Sequence, residues 1–195
     1  MSAASLQDMN KPDIRLLRQT LGRFVTGVTV VATRDDEGNM VGLTVNSFTP
    51  LSPQSGLLLW SLANKSRSLL AFTKSAEFVV NVLADDQLGV SRQMSAPVEN
   101  RFAGVEWQAG EVSGLPIIDG CAAWFECRKV TQYQGGDHQI FVGKVTNCHF
   151  TDKRPLLYFA GNYAYPTAPV VPAQAGTQRL VADDAGSPPA RGRQP

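Results

Sequence analysis

Histidine and cysteine are scarce in this 195-residue chain: two histidines, His138 and His149, and three cysteines, Cys121, Cys127 and Cys148. Two histidines exclude a three-histidine metal site, and without a CxxC pair or clustered His a structural zinc site has no ligands. Three cysteines also make a poor disulfide framework, so the thiols read as small buried hydrophobes, the alternative being a redox or ligand role. Charge of one sign is absent too. Eighteen Lys+Arg balance 17 Asp+Glu for a formal charge of +1, without the basic excess of a nucleic-acid module. No run approaches the roughly 20 apolar residues that cross a bilayer. MSAASLQDMNKPDIRLLRQT lacks a basic segment followed by an apolar core, so the expectation is a soluble cytoplasmic protein with no membrane role. Phosphate loops of the G-x-x-x-x-G-K-[ST] type, G-x-G-x-x-G turns and G-x-S-x-G elbows are all missing. Any nucleotide is therefore held by some other device.

What is present is a strand-rich body. Hydrophobic residues make up 43%, in the globular range. Pro12 and Asp13 open a helix in which Ile14, Leu17, Leu21 and Phe24 recur at helical spacing. VTGVTVVAT and MVGLTVNSFT flank the turn DDEGN and read as a hairpin. GLLLWSL is a buried strand, SRSLLAFTKS a helix with Leu69, Leu70 and Phe72 in pattern, EFVVNVL a strand, and DDQLGVSRQMS a short helix with an acidic start. NRFAGVEWQAGEVSGLPII reads as a loop. CAAWFECRKVTQY and HQIFVGKVTNCHF form two long strands joined by QGGD, and PLLYFAGNY closes the ordered part. In CAAWFEC the even spacing of Cys121 and Cys127 puts both on one face if the whole segment is a strand. Strands at this spacing with short helices between them predict a mainly β fold, a closed antiparallel barrel of Greek-key-like type, over residues 13–165. Six of the twelve prolines lie beyond residue 165 and no aromatic follows Tyr165. Residues 166–195 therefore read as a flexible tail, or alternatively as a docking arm.

Polar residues collect at two places. Thr44, Asn46 and Ser47 end an apolar strand in GLTVNSF, and SLANKSRS places Ser61, Asn64, Lys65, Ser66, Arg67 and Ser68 between a buried strand and a helix. Hydroxyls, amides and cations at a helix start can hold an anion. The plainer reading is capping by Asn64 or Ser66, with Lys65 and Arg67 merely solvated. GGDH is first a hairpin turn whose glycines supply positive φ.

In this order, LGRFVTGVTVVATRDDEGNMVGLTVNSFTPLSPQSGLLLWSLANKSRSLLAF, FVVNVLADDQ, RFAGVEW, GLPIIDGCAAWFEC, GGDHQIFVGKV and PLLYFAGNY resemble the flavin reductase-like family, from Leu21 to Tyr163. These are the small reductase components of two-component flavin-dependent monooxygenases. The resemblance implies an FMN-binding split barrel, a homodimer, and NADH- or NADPH-dependent reduction of FMN or FAD. Reduced flavin would then diffuse to a partner monooxygenase. It further implies that Thr44, Val45, Asn46 and Ser47 line the isoalloxazine, that Ser61, Asn64, Lys65, Ser66 and Arg67 form the flavin chain and phosphate site, that His138 is the catalytic-site residue near the hydride donor, and that Tyr163 lies near the cofactor. No metal is implied. Asn100 and Arg101 sit in a loop that could border the nucleotide entrance, and the resemblance assigns them no role. One departure is SPQSGLLLW, where many members carry a Pro-Pro pair and this chain has Pro53, Gln54, Ser55 and Gly56. Two alternatives share the barrel: a non-catalytic flavin carrier or sensor, and a reductase of another acceptor such as a corrinoid.

Overall fold

A computed structural model describes residues 13–167. The 166–195 tail lies outside the described residues after Thr167. Helix α1 (Ile14–Leu21) starts at Asp13, whose carboxylate accepts from the N–H groups of Arg15 (2.8 Å) and Leu16 (3.2 Å). Asp13 thus caps the helix and satisfies two otherwise unpaired donors. The predicted apolar stripe is present, but none of α1 is buried, and Phe24 lies beyond the helix.

The body is a seven-stranded antiparallel sheet in the order β3-β2-β6-β9-β10-β5-β4. Its strands are β2 (Thr29–Arg34), β3 (Met40–Val45), β4 (Thr49–Ser52), β5 (Leu57–Ala63), β6 (Glu77–Val82), β9 (Ala123–Gly135) and β10 (His138–Phe150). Side chains from six of these strands meet in one core: Val31, Leu58, Trp60, Leu62, Phe78, Val80, Cys127 and Phe141, fringed by Val41, Leu43 and Val45 of β3. A sheet whose two edge halves share one interior has curled on itself. Its edges, β3 and β4, are joined by residues 46–48 but are not paired with each other, which is the split of the barrel.

Burial follows from this curl. β5 alternates, with Leu58, Trp60 and Leu62 inward. β2 does not alternate, and Thr29–Thr33 are all buried. Val31 faces the barrel, while Val28, Val30 and Ala32 face a second core built from Leu83, Met94, Phe102, Ile118, Cys121 and Leu156. A strand covered on both faces reads as a continuous apolar run, which is why VTVVAT carries no polar alternation. Two helices cover the barrel: α2 (Leu69–Lys74), which sets Phe72 into the barrel core, and α3 (Leu88–Ser95), which sets Met94 into the second core.

Several expectations are corrected. Cys121 and Cys127 do not share a strand face: β9 begins at Ala123, and the two thiols sit in different cores. The loop expected over residues 100–118 contains a hairpin, β7 (Trp107–Ala109) with β8 (Pro116–Ile118). Buried Asn81 of β6 fastens it, accepting from Ile118 N–H (2.9 Å) and donating to the Pro116 carbonyl (3.2 Å). The first hairpin strand is divided, because β1 (Thr26–Gly27) pairs with β11 (Leu157–Phe159), which pairs with β12 (Asn162–Ala164). α3 has no acid in its first turn, as Asp85 and Asp86 lie before its cap, Gln87. Among the described residues no helix is long and apolar enough to cross a membrane.

Candidate functional site

Three segments that are far apart in sequence meet where β5 ends. Ser47, just past β3, donates its hydroxyl to the Ser61 carbonyl (2.8 Å) and accepts from Ser61 N–H (3.0 Å). The β4–β5 ladder ends at Thr49↔Leu59, so this hydroxyl holds β5 to the β3–β4 connection where backbone pairing has stopped. Ser61 opposes Ile140 on the other neighbour, β10, and Ala63 opposes His138. The chain then leaves β5 through Asn64, whose N–H donates to the Asp137 carbonyl (2.8 Å) and whose Oδ1 accepts from Gln139 Nε2 (3.2 Å). Gln132 Nε2 donates in turn to Gln139 Oε1 (3.0 Å). The GGDH turn, with Gly136 at φ 64°, is thereby fastened to the segment bearing Lys65. Ser47, Ser61, Asn64 and His138 thus gather where β5 ends, while Thr44 turns to α3 and Asn46 is exposed just past β3.

The capping expectation is not met. α2 starts at Leu69, its N-cap Ser68 makes no side-chain bond to the helix, and Asn64 bonds the hairpin instead. Ser66 Oγ accepts from Ser68 N–H (3.3 Å) in the turn before the helix. Lys65 and Arg67 are exposed, and neither side chain makes an ion pair or hydrogen bond among the described residues. Two uncommitted cations and a hydroxyl thus stand on one short turn, a donor set suited to a phosphate. Ser66 and Arg67 also line a groove of about 660 Å3 between α2, the β2–β3 turn and the loop after α3. Arg101 is fixed in its wall, with Nη1 on the Gly42 carbonyl (2.9 Å) and Nε on the Ala96 carbonyl (3.0 Å). An ion pair of Lys74 with Asp36 spans the groove's outer side. Thr44, Val45, Asn46, Ser47, Ser61, Asn64, Lys65, His138 and Tyr163 do not line this groove.

Thr44 and Tyr163 form a second pairing. Thr44 donates to the Ser91 carbonyl (2.7 Å), and Tyr163 OH shares a hydrogen bond with Ser91 Oγ (3.0 Å). Both hydroxyls are therefore engaged with α3. Val45 packs at the rim of the barrel core, and its carbonyl accepts from Thr29 Oγ1 (3.1 Å). β3 is an edge strand, so the peptide groups on its outer side are open to a ligand. A ring bearing carbonyl acceptors beside this edge and a phosphate beside Lys65 would both find unspent donors. The residues fit a flavin.

Asp137 escaped the sequence reading. Its Oδ1 lies 2.7 Å from His138 Nδ1, and this hydrogen bond holds the Asp137 carboxyl below the usual carboxylate range. The signal was only the adjacency of an acid and a histidine. The buried thiols are inert by contrast, because burial pushes Cys121 and Cys127 up to about 12. Among the described residues no cluster of His, Cys, Asp and Glu could hold a metal.

The flavin reductase like domain family matches residues 21–167. A probable flavin reductase of Rhizobium meliloti is 43% identical over 154 residues, covering 79% of this chain and 49% of that protein. The chain thus spans about half the length of this relative. The flavin-dependent monooxygenase reductase subunit HsaB of Rhodococcus jostii is 37% identical over 152 residues, 77% of each protein. The solved structure of NADH:FAD oxidoreductase SgcE6 of Streptomyces globisporus, in complex with NAD and FAD fragments, superposes with a TM-score of 0.78 at 33% identity, covering 86% of this chain and 99% of that one. A split antiparallel barrel and a family match spanning nearly all the described residues give one conclusion: the chain belongs to the flavin reductase-like family.

Proposed function

We propose that the protein is an NAD(P)H:flavin oxidoreductase, the reductase component of a two-component monooxygenase, working as a cytoplasmic homodimer. The observation that carries this reading is the junction of the Lys65 segment with the GGDH turn at one end of the barrel. It puts uncommitted cations beside His138 at the hairpin turn. FMN or FAD supplies the hydride acceptor, and NADH or NADPH the donor.

The chain's own work is binding and orientation. Lys65, Ser66 and Arg67 hold the flavin phosphate, with Ser61 and Asn64 beside its chain. The edge of β3 at Thr44, Val45, Asn46 and Ser47 offers N–H donors to the ring's carbonyl side, where they stabilise negative charge. Tyr163 bounds the site through Ser91. His138 orients the nicotinamide nucleotide, and no side chain need gain or lose a proton for hydride to move. The names of the relatives support a separate oxygenase as the consumer of reduced flavin.

The purified chain is expected to oxidise NADH or NADPH only when FMN or FAD is present; failure with either flavin overturns the activity. Stoichiometric flavin binding without turnover would favour the carrier, and NADH oxidation without release of reduced flavin a different acceptor. Exchanging Lys65 and Ser66 together for Ala removes one charge and one hydroxyl. Flavin affinity should fall roughly 10- to 100-fold, from about 1.5–3 kcal/mol for a charged hydrogen bond. Unchanged affinity in a fluorescence titration would remove the phosphate assignment.

A further inference from the structure

Resting on the flavin reductase reading, the geometry points to Asp137 as a positioning residue for His138: it fixes which ring nitrogen carries the hydrogen and so which atom meets the nicotinamide nucleotide. Asp137 Oδ1 and His138 Nδ1 are 2.7 Å apart. A carboxylate only accepts hydrogen bonds, so Nδ1 must be the donor. In the neutral ring the lone pair is then left on Nε2, an acceptor available to a donor such as the carboxamide N–H2 of a nicotinamide. Nε2 has no protein partner among the described residues, and the His138 side chain is 43% exposed.

A surface Asp–His pair would ordinarily be too mobile to matter. Here the backbone on both sides is held. His138 sits in two ladders, opposite Gly135 on β9 and Ala63 on β5. The Asp137 carbonyl accepts from Asn64 N–H at 2.8 Å, and Asn64 is tied through Gln139 to Gln132. The Asp137 carboxylate, itself 93% exposed, therefore acts from a backbone that is held on both sides. A group held by its neighbour in one tautomer is the usual way in which a carboxylate supports an imidazole.

Two histidines make the test direct. In 15N NMR of the full chain without flavin at pH 8, His138 is expected as the Nδ1–H tautomer, with His149 as internal reference. Asp137→Ala should return His138 to the mixture dominated by Nε2–H, whereas Asp137→Asn keeps an accepting oxygen and preserves Nδ1–H. In the NADH-oxidation assay Asp137→Ala should raise KM for the nucleotide about five- to tenfold, leaving kcat and flavin KM within twofold. Asp137→Asn should restore most of the loss, and Asp137→Ala should add nothing to His138→Ala. Nε2–H in the wild type, additive effects in the double variant, or an unchanged nucleotide KM would each overturn the assignment. If the wild type oxidises no NADH, the flavin reductase reading fails, while the NMR result still decides the tautomer.

Discussion

Glu126 lies on β9 with no exposed surface, an expensive place for a carboxylate. Burial alone would raise its pKa. The donors around it outweigh that: Ser113 N–H (2.8 Å), Ser113 Oγ (2.7 Å), Asn147 Nδ2 (3.0 Å) and Val112 N–H (3.1 Å) hold the carboxyl below the usual carboxylate range. Gly110 completes the cradle, since a Cβ there would overlap the carboxylate. A folded-state pKa below the unfolded value of about 4.3 means stabilisation that is present above pH 4.3 and lost as pH falls through the folded value. Glu126→Gln should cost about 1–3 kcal/mol at neutral pH, because an amide cannot accept from all four donors. The gap in Tm between wild type and variant should then narrow on acidification below pH 4. Thermal unfolding at pH 7, 5 and 3.5 checks this, and a gap independent of pH would refute the electrostatic account. None of it shows in FEC, because the donors come from residues 112, 113 and 147.

At the scale of elements, what the sequence discloses depends on how much of an element's environment is local. β9 and β10 were legible because thirteen residues each and a Gly-rich turn specify a hairpin with no outside help. β4 pairs only through Thr49, Pro50 and Ser52, and the β7–β8 hairpin is held by Asn81 from a strand 35 residues upstream. Such elements exist by tertiary contact, and periodicity has nothing to report about them. The candidate site divides the same way: polar clusters at Thr44–Ser47 and Ser61–Ser68 were visible, but their junction is not. It depends on Ser47 bonding Ser61 and Asn64 bonding the 136–139 turn. β5 carries the barrel's aromatic nucleus, with Trp60 stacked on Phe141 (centroids 4.7 Å) and edge-on to Phe72 (4.8 Å). Trp60 Nε1 is buried without a partner, so the indole contributes area and no hydrogen bond. Phe141→Ala should cost about 3–5 kcal/mol through the cavity it leaves. Trp60→Phe should cost clearly less, since it also removes an unsatisfied donor. Urea unfolding of both variants decides, and a larger loss for Trp60→Phe would show that the indole N–H has a partner.

At the scale of the molecule, α1 is the element whose environment is incomplete. Eight residues make a marginal helix in water unless an apolar face is packed. Yet Ile14, Leu21 and Phe24 are 62%, 64% and 78% exposed, and Val25 beside them is half uncovered. The Asp13 cap and a short contact from Ala160 N–H to the Gly22 carbonyl (2.9 Å) hold the helix at its two ends only. A second copy seated on this stripe would supply the missing cover, which makes the stripe the place to test the proposed homodimer. Central apolar residues dominate such interfaces, and losing a principal one costs about 2 kcal/mol or more. Leu21→Asp with Phe24→Asp, which also buries two charges, should weaken association at least roughly 100-fold. Sedimentation equilibrium should give twice 21.1 kDa for the wild type and a single chain for the variant at micromolar concentration. The barrel core lies elsewhere, so far-UV circular dichroism of the variant should change only by the loss of α1. A wild-type chain that sediments as a monomer would overturn the homodimer, and a double variant that stays dimeric would move the interface away from α1.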